Sequence, residues 1–357
     1  MFESIVRELI DALMSLRVEK PRYELRYEDM IGFTESELRL NYLSKPLRYY
    51  KTGAVDAASI NLYVGFSQLA IAAGTFVGNS KTILIPYYKS EHMSDDIPPI
   101  VSSYVSVRNV RWVTDRYVKL GVRYLEDPEL PEGALAHDIR ISLETFILSN
   151  IPTHGDDSEL ILIDGPVEYP LKHPLEESKW NIEVKRLNEE RVRILRSLVE
   201  GGRIPLSIVK RVGMSKYLVR KSVKSSELTD TQLIYRLLSR HEIEKPIYIG
   251  PIEVRSIYGL TNKYMFYLIV PSSSYIRSFS IFRVEVIKEV YEYLSNKLTD
   301  VLSYLALSTY SFGLPLPYKL NQADRASKKV VSAMASLING MLKIKGITTI
   351  YEGLSYE

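Results

Sequence analysis

The sequence predicts an α/β fold in which a sheet of mixed strand directions is flanked by helices. Three runs rich in β-branched and aromatic residues follow one another early in the chain, at Ala54-Val55-Asp56, 69–77 and 82–88, with turn signals at Gly65, Gly78-Asn79 and Pro86. Successive strands joined by short turns read as antiparallel hairpins. A helical pattern then precedes Leu160-Ile161-Leu162-Ile163, an unbroken apolar run that suits a sheet interior covered on both faces. Hairpins followed by alternating helix and strand give a mixed sheet.

The 357 residues suffice for a sizeable core in one elaborated domain or two ordinary ones. Hydrophobic residues make up 46% and charged residues 25%, the composition of a folded globular protein. Lys and Arg total 46 against 43 Asp and Glu, so the net charge of +3 gives no global signal for a polyanion partner. Any nucleic-acid surface has to come from local clustering. The chain has no cysteine, which excludes disulfides, thiolate metal sites and cysteine nucleophiles and leaves carboxylates, histidines and hydroxyls for chemistry.

The first 18 residues carry Phe2, Ile5, Leu9, Leu13 and Leu16 at helical spacing, interrupted by Glu3, Arg7, Glu8 and Asp11. This is an amphipathic helix rather than a secretory signal. The most apolar stretch, 65–78, falls short of the roughly 20 residues a membrane helix needs. A soluble, cytoplasmic protein without membrane contact is expected. After a Tyr-rich approach segment and the three strands comes a polar, proline-containing insertion, expected to be helical over about 89–135.

Ile139, Leu143, Phe146 and Ile147 mark a helix over 136–150 and place Glu144 beside its apolar stripe. Residues 188–201 read as a helix stopped by Gly201, 205–210 as a short strand, and 229–239 as a helix capped by Thr229. Strands return at 264–270 and 280–286, and the chain closes with helices over 288–308 and 320–343. The expected division is an N-terminal helix and approach segment at 1–50, a core domain at 51–345 and a C-terminal tail at 346–357.

Two aspartates stand at the ends of predicted strands. Asp56 lies among the small residues Gly53, Ala54, Ala57, Ala58 and Ser59, and Asp164 closes the buried run at Asp164-Gly165-Pro166. If those strands are neighbours, both carboxylates meet at one sheet edge, within reach of Glu144 on the preceding helix. Like-charge repulsion makes such a cluster costly unless cations occupy it, and oxygen-only ligation favours Mg²⁺ or Mn²⁺. Two ions about 4 Å apart activate water and stabilise the leaving oxygen in phosphodiester hydrolysis. Taken singly, an aspartate after a strand is usually a turn or cap residue and Glu144 a solvated helix charge. Their order and placement together make the case.

Val55-Asp56-Ala57-Ala58-Ser59, Leu143-Glu144, Ile161-Leu162-Ile163-Asp164-Gly165-Pro166 and Ile208-Val209-Lys210-Arg211 occur in an order that resembles the NurA nucleases. Thr229-Asp230 with Leu237-Leu238, Phe266-Tyr267, Arg283-Val284-Glu285, and Leu314-Pro315-Leu316-Pro317-Tyr318 before Ala323-Asp324 extend the resemblance over about 53–326. It implies an RNase H-like fold, a homodimer, and an Mn²⁺-dependent DNA nuclease, with Mg²⁺ as the alternative ion. The implied activities are single-strand endonuclease and 5′-to-3′ exonuclease, in DNA end resection with a HerA-type hexameric translocase as partner. By the same resemblance Asp56, Glu144 and Asp164 match metal-binding acids, and Lys210 the basic residue after the strand.

Two positions depart from the family pattern. A Val-Asp-Gly-Ser turn is replaced by Val55-Asp56-Ala57-Ala58-Ser59, and an Ala-His pair in the last helix by Ala323-Asp324. Asp324 is therefore carried as a fourth acid of the site. It ligates a hard cation well but supplies no imidazole for proton transfer. Altered, reduced and absent activity are all compatible with that exchange, the last being an inactive paralogue with an assembly role.

Between Gly201 and Ser226 stand Arg203, Lys210, Arg211, Lys216, Arg220, Lys221 and Lys224 with no acidic residue. Phosphate neutralisation uses such a patch, and a tyrosine stacks on unpaired bases, so Lys210, Arg211, Lys216, Tyr217 and Arg220 are the DNA-binding candidates. A solvated loop explains the same charges. Residues 204–224 also resemble a helix-turn-helix with Gly213 at its turn, the basis of an alternative in which the chain binds DNA without cleaving it. The five histidines lack metal-binding helix spacing. Arg283 and Glu285 share a strand face as an expected structural ion pair, and Tyr235 is assigned to packing.

Overall fold

The computed structural model describes residues 39–64, 67–86, 98, 100–105, 113–114, 118–120, 134–169, 179–222, 228–238, 243–256, 259–271, 279–310, 316–346 and 349–350. The predicted N-terminal helix, Leu314-Pro315, His92, His173, His241, Lys224 and the last seven residues lie outside them.

The expected early hairpins are present. Strand β1 (Asn41–Tyr42) precedes β2 (Thr52–Val64), β3 (Ser67–Val77) and β4 (Thr82–Ile85). Strands β2 and β3 pair antiparallel from Ala54↔Val77 to Val64↔Ser67, and β3 pairs antiparallel with β4. The first strand is far longer than its apolar start implies, because Ala58, Ile60 and Leu62 continue the alternation and pack on the sheet's far side. Asp56 therefore lies inside β2, a correction to its expected position at a strand end.

The described part of the insertion is made of strands, not helix: β5 (Val101–Val105), β6 (Val113–Thr114) and β7 (Val118–Leu120). Their β-branched residues suit the ladder that β5 adds to β3 through Ser67↔Val105 to Ile71↔Val101. Helix α1 (Ala134–His154) follows, then β8 (Leu160–Asp164), α2 (Lys179–Glu200) and β9 (Ile204–Val209). Strand β2 runs parallel to β8, and β8 parallel to β9. The order β4-β3-β2-β8-β9, with helices in the crossovers, is the expected RNase H-like mixed sheet.

Residues 204–209 form this inner strand, so the helix-turn-helix reading of 204–224 is overturned. Ile204, Leu206 and Ile208 are buried, and the strand is paired by β8 on one side and by the antiparallel β12 (Phe279–Ile287) on the other. A short helix, α3 (Tyr217–Ser222), and α4 (Asp230–Leu238) follow β9. Thr229 caps α4 as predicted, its Oγ accepting the Gln232 N–H at 3.4 Å while the Gln232 side chain accepts the Thr229 N–H at 2.9 Å.

Strands β10 (Ile247–Arg255) and β11 (Asn262–Pro271) complete a meander with β12, giving a 13-stranded sheet among the described residues. Strand β10 is not evident in the sequence because Gly250-Pro251 reads as a turn; the register shifts there, between Ile249 and Ile252, and the strand resumes. The closing helices are α5 (Lys288–Leu294), α6 (Leu298–Tyr310) and α7 (Tyr318–Ile344), followed by β13 (Thr349–Ile350) beside β2.

Alternation sorts the faces. Ala70 and Ala72 of β3 join the main core with Leu143 and Ile147 of α1, whereas Ile71 and Ala73 pack against Val331 and Ala335 of α7. Helices α1 and α7 thus cover opposite faces of β3. On β11, Phe266, Leu268 and Val270 belong to the main core, and Met265, Tyr267 and Ile269 to a second core under α3 and α4. Among the described residues no helix is long and apolar enough to cross a membrane.

Candidate functional site

Parallel pairing of β2 with β8 sets Val55 opposite Ile163, so Asp56 and Asp164 are the next residues along two adjacent strands. Neighbouring strands are about 4.8 Å apart, which brings the two carboxylates together. Asp164 ends β8 because Gly165 turns the chain away at once, with φ +92° and its N–H bonded to Ile208 O at 3.0 Å. A side chain there is disfavoured twice, by that φ and by Tyr169 Oη at 2.9 Å from where a Cβ would stand.

Helix α7 delivers the third acid. One oxygen from each of Asp56, Asp164 and Asp324 lies within 4.8 Å of the others. Asp56 is 2% exposed and accepts a hydrogen bond from Ser327 Oγ, one helical turn beyond Asp324. Lys328, on the next position of α7, reaches Asp324 at 2.9 Å.

Lys210, just beyond β9, sits among the three acids. Its Nζ is 2.6 Å from Asp324, 2.8 Å from Asp164 and 4.0 Å from Asp56. Burial alone would lower its pKa; Asp164 and Asp56 reverse that and hold the ammonium above the ordinary lysine range. Burial, then the Asp164 carboxylate, pushes Asp56 well above the carboxylate range. Burial also acts to raise Asp324, but Lys210 and Lys328 outweigh it and keep that acid ionised to lower pH than usual.

Glu144 is not brought into this group. It rises from α1, on the other face of the sheet from α7, and its Oε2 accepts bonds from Arg191 Nη1 at 3.0 Å and Tyr169 Oη at 3.1 Å. Arg191 is fully buried. Burial raises the Glu144 pKa against the pull of Arg191 and of Arg140, one turn earlier on α1.

The DNA-binding candidates separate. Arg211 and Lys216 are exposed on the loop after β9, whereas Lys210 is turned into the acids. Tyr217 lies under Arg283, whose Cζ is 5.0 Å from the ring centroid, and Lys263 is 5.8 Å from it. Arg220 falls within α3. Arg283 and Glu285 form the expected ion pair at 2.6 Å, and Tyr235 packs on Phe279 with centroids 4.9 Å apart.

Sequence reasoning missed Ser327, Lys328, Tyr169 and Arg191. Ser327 and Lys328 follow Asp324 at i+3 and i+4 and were legible once that acid was placed. Arg191 interrupts the buried stripe Val184, Leu187, Leu195 and Leu198 of α2, where an apolar residue is the rule. That interruption was the available signal.

Residues 52–328 match the family model described as the NurA domain, which spans most of the chain. The chain belongs to the NurA family. The crystal structure of the NurA nuclease from Sulfolobus solfataricus superposes with a TM-score of 0.51 at 12% identity, covering 99% of this chain and 98% of that one. A crystal structure of NurA with manganese gives 0.46 at 12% identity, covering 96% and 98%, and one of NurA bound to dAMP and manganese gives 0.45 at 10%, covering 90% and 92%. A search of curated proteins gave no match. The NurA match and the Sulfolobus superposition agree with the RNase H-like sheet described above.

Proposed function

We propose that this NurA-family chain is a metal-dependent DNA nuclease whose cation site is formed by Asp56, Asp164 and Asp324. The observation that carries the reading is the convergence of three carboxylates from β2, β8 and α7 on one point, with a cationic Nζ already in contact with two of them. The donor set fits a hard divalent cation such as Mn²⁺ or Mg²⁺: all ligand atoms are carboxylate oxygens, and the site concentrates negative charge that positive charge must offset. Cations held there would polarise a phosphodiester and make water a stronger nucleophile, the chemistry a two-metal site would supply.

The chain's own residues supply the remainder. Asp56 is held by Ser327 and buried, which fixes its orientation before any ligand arrives. Lys210, which contacts Asp164 and Asp324 here, would present its ammonium to phosphate oxygens if a cation took its place on Asp324. Arg211 and Lys216, exposed on the same loop, lead the DNA backbone toward it. Glu144, held by Arg191 and Tyr169, supports the site from behind the acids. Proton transfer at position 324 cannot come from an imidazole, so water or a carboxylate takes that role.

Family membership supports the finer reading: single-strand endonuclease and 5′-to-3′ exonuclease activity in end resection, a homodimer, a HerA-type hexameric translocase as partner, and a cytoplasmic location. A second reading is favoured by Lys210, which balances the acids without any metal: a catalytically silent paralogue retained for assembly. Labelled single-stranded DNA incubated with the protein and Mn²⁺ separates them. Cleavage that EDTA abolishes, and that Asp56→Asn and Asp164→Asn lose by at least a hundredfold, supports the nuclease. No cleavage, together with co-elution with such a translocase, selects the silent paralogue.

A further inference from the structure

Strand β12 carries a charged pair that the proposed chemistry does not use. Arg283 and Glu285 stand on the α3 and α4 face of the sheet, in register with Val209 and Ser207 of β9. They are 6% and 0% exposed. Glu285 Oε1 accepts a bond from Arg283 Nε at 2.8 Å and lies 2.6 Å from Nη2, while Lys263 of β11 approaches Oε2 at 3.3 Å. Burial acts to raise the Glu285 pKa, but Lys263 and Arg283 hold it below the usual range, so the pair is ionic.

Each member also grips one of the two loops that leave the acidic cluster. Glu285 Oε2 accepts the N–H of Val167 at 3.1 Å, in the loop that follows Asp164. Arg283 Nη1 donates to Ser215 Oγ at 2.8 Å, in the loop that follows Lys210. Ser215 in turn donates to Asp230 at 2.5 Å, and Asp230 accepts the N–H groups of Tyr217 and Val219 at 3.0 Å each as well as the Tyr267 hydroxyl. A buried ion pair contributes little net stability, because desolvation offsets its Coulomb attraction. Its forked geometry is suited to fixing positions instead.

We propose that Arg283 and Glu285 are positioning residues for the cation site: one ion pair anchors the loop after Asp164 and the loop after Lys210, fixes the spacing of those two groups, and so sets the affinity of the cluster for a divalent cation. Neither residue touches the acids; both act through the backbone they hold. The inference rests on the cation site proposed above.

The test combines Mn²⁺ titration calorimetry with backbone hydrogen exchange of the metal-free full chain, for wild type, Arg283→Met, Glu285→Gln and Arg283→Lys. Arg283→Met is expected to weaken Mn²⁺ binding about tenfold, the scale of outer-shell effects on metal sites, and to speed exchange in 165–169 and 210–219 while β2 and β3 stay protected. Glu285→Gln has one acceptor oxygen in place of two and cannot serve Val167 and Arg283 together, so it is expected to loosen both loops and weaken Mn²⁺ binding in the same sense, and it stands in if Arg283→Met does not fold. Arg283→Lys keeps the ion pair but cannot span Glu285 and Ser215 together, and is expected to loosen 210–219 alone. Unchanged Mn²⁺ affinity and loop exchange overturn the proposal, as does exchange that rises evenly across the sheet. A wild-type chain that binds no Mn²⁺ sinks the cation site itself, and loop exchange then decides the anchoring alone.

Discussion

Lys210 is the residue on which the charge balance of the site turns. Its ammonium offsets Asp56, Asp164 and Asp324 at contact distances of 2.6 to 4.0 Å. Replacing it with methionine leaves the acids to repel one another, at a cost of about 3 kcal/mol of stability in metal-free buffer. The same change leaves a stronger field for a divalent ion. Thermal melts of Lys210→Met should therefore start lower than wild type and rise further on adding Mn²⁺; an equal or smaller rise would show that the ammonium and the cation do not compete.

Asp156 tests a different kind of carboxylate. It accepts the N–H groups of Ser80, Lys81 and Ser158 at 2.9 Å each, pinning the turn between β3 and β4 to the start of β8. Burial acts to raise its pKa, but the Ser158 hydroxyl and these amides lower it below the ordinary value. An acid depressed in the folded state contributes stability that is complete above its unfolded pKa, about 3.9, and is lost as pH falls through the lower folded value. Asp156→Asn should cost about 1–3 kcal/mol near neutrality, with the gap to wild type closing in denaturant titrations below about pH 4. Asp56 and Glu144 are shifted the opposite way and are common to both proteins, so they cancel in that difference.

At the scale of elements, small residues let α1 lie close on the β2 and β3 hairpin. A Cβ added at Gly74 would stand 2.5 Å from Ile147 Cδ1 and 2.8 Å from Leu143 Cγ. Gly74→Val should lower stability by about 1–3 kcal/mol through overpacking, and restoring space with Ile147→Ala in the same chain should recover part of it. An additive double variant would deny that this contact sets the helix's distance. These elements were largely legible: the hairpins, the buried β8, the stop at Asp164 and the Thr229 cap follow from alternation, apolar runs and turn chemistry. The unforeseen elements carry mixed local signals. Gly250-Pro251 hides β10, the polar setting of the insertion hides the Val and Thr content of its strands, and the basic residues after Val209 draw attention from the apolar strand before them.

Across the whole molecule, the site exists because residues distant in sequence meet through topology. Parallel pairing of β2 with β8 aligns Asp56 with Asp164, and α7 returns over the same face to add Asp324. Local reasoning placed the first two correctly as neighbours but grouped Glu144 with them. A helix periodicity does not say which face of the sheet the helix covers, and here α1 and α7 cover opposite ones. The fold also adds what the sequence conceals: a lysine placed inside the acid cluster, and the contacts by which the expected Arg283–Glu285 pair reaches the loops after Asp164 and Lys210. A Mn²⁺-soaked crystal, read by the anomalous signal of the ion, decides whether the three acids hold a metal. A peak is expected within reach of Asp56, Asp164 and Asp324, with the Lys210 ammonium moved off Asp324; no peak there, with Lys210 still between Asp164 and Asp324 at saturating Mn²⁺, would contradict a cation site at these acids.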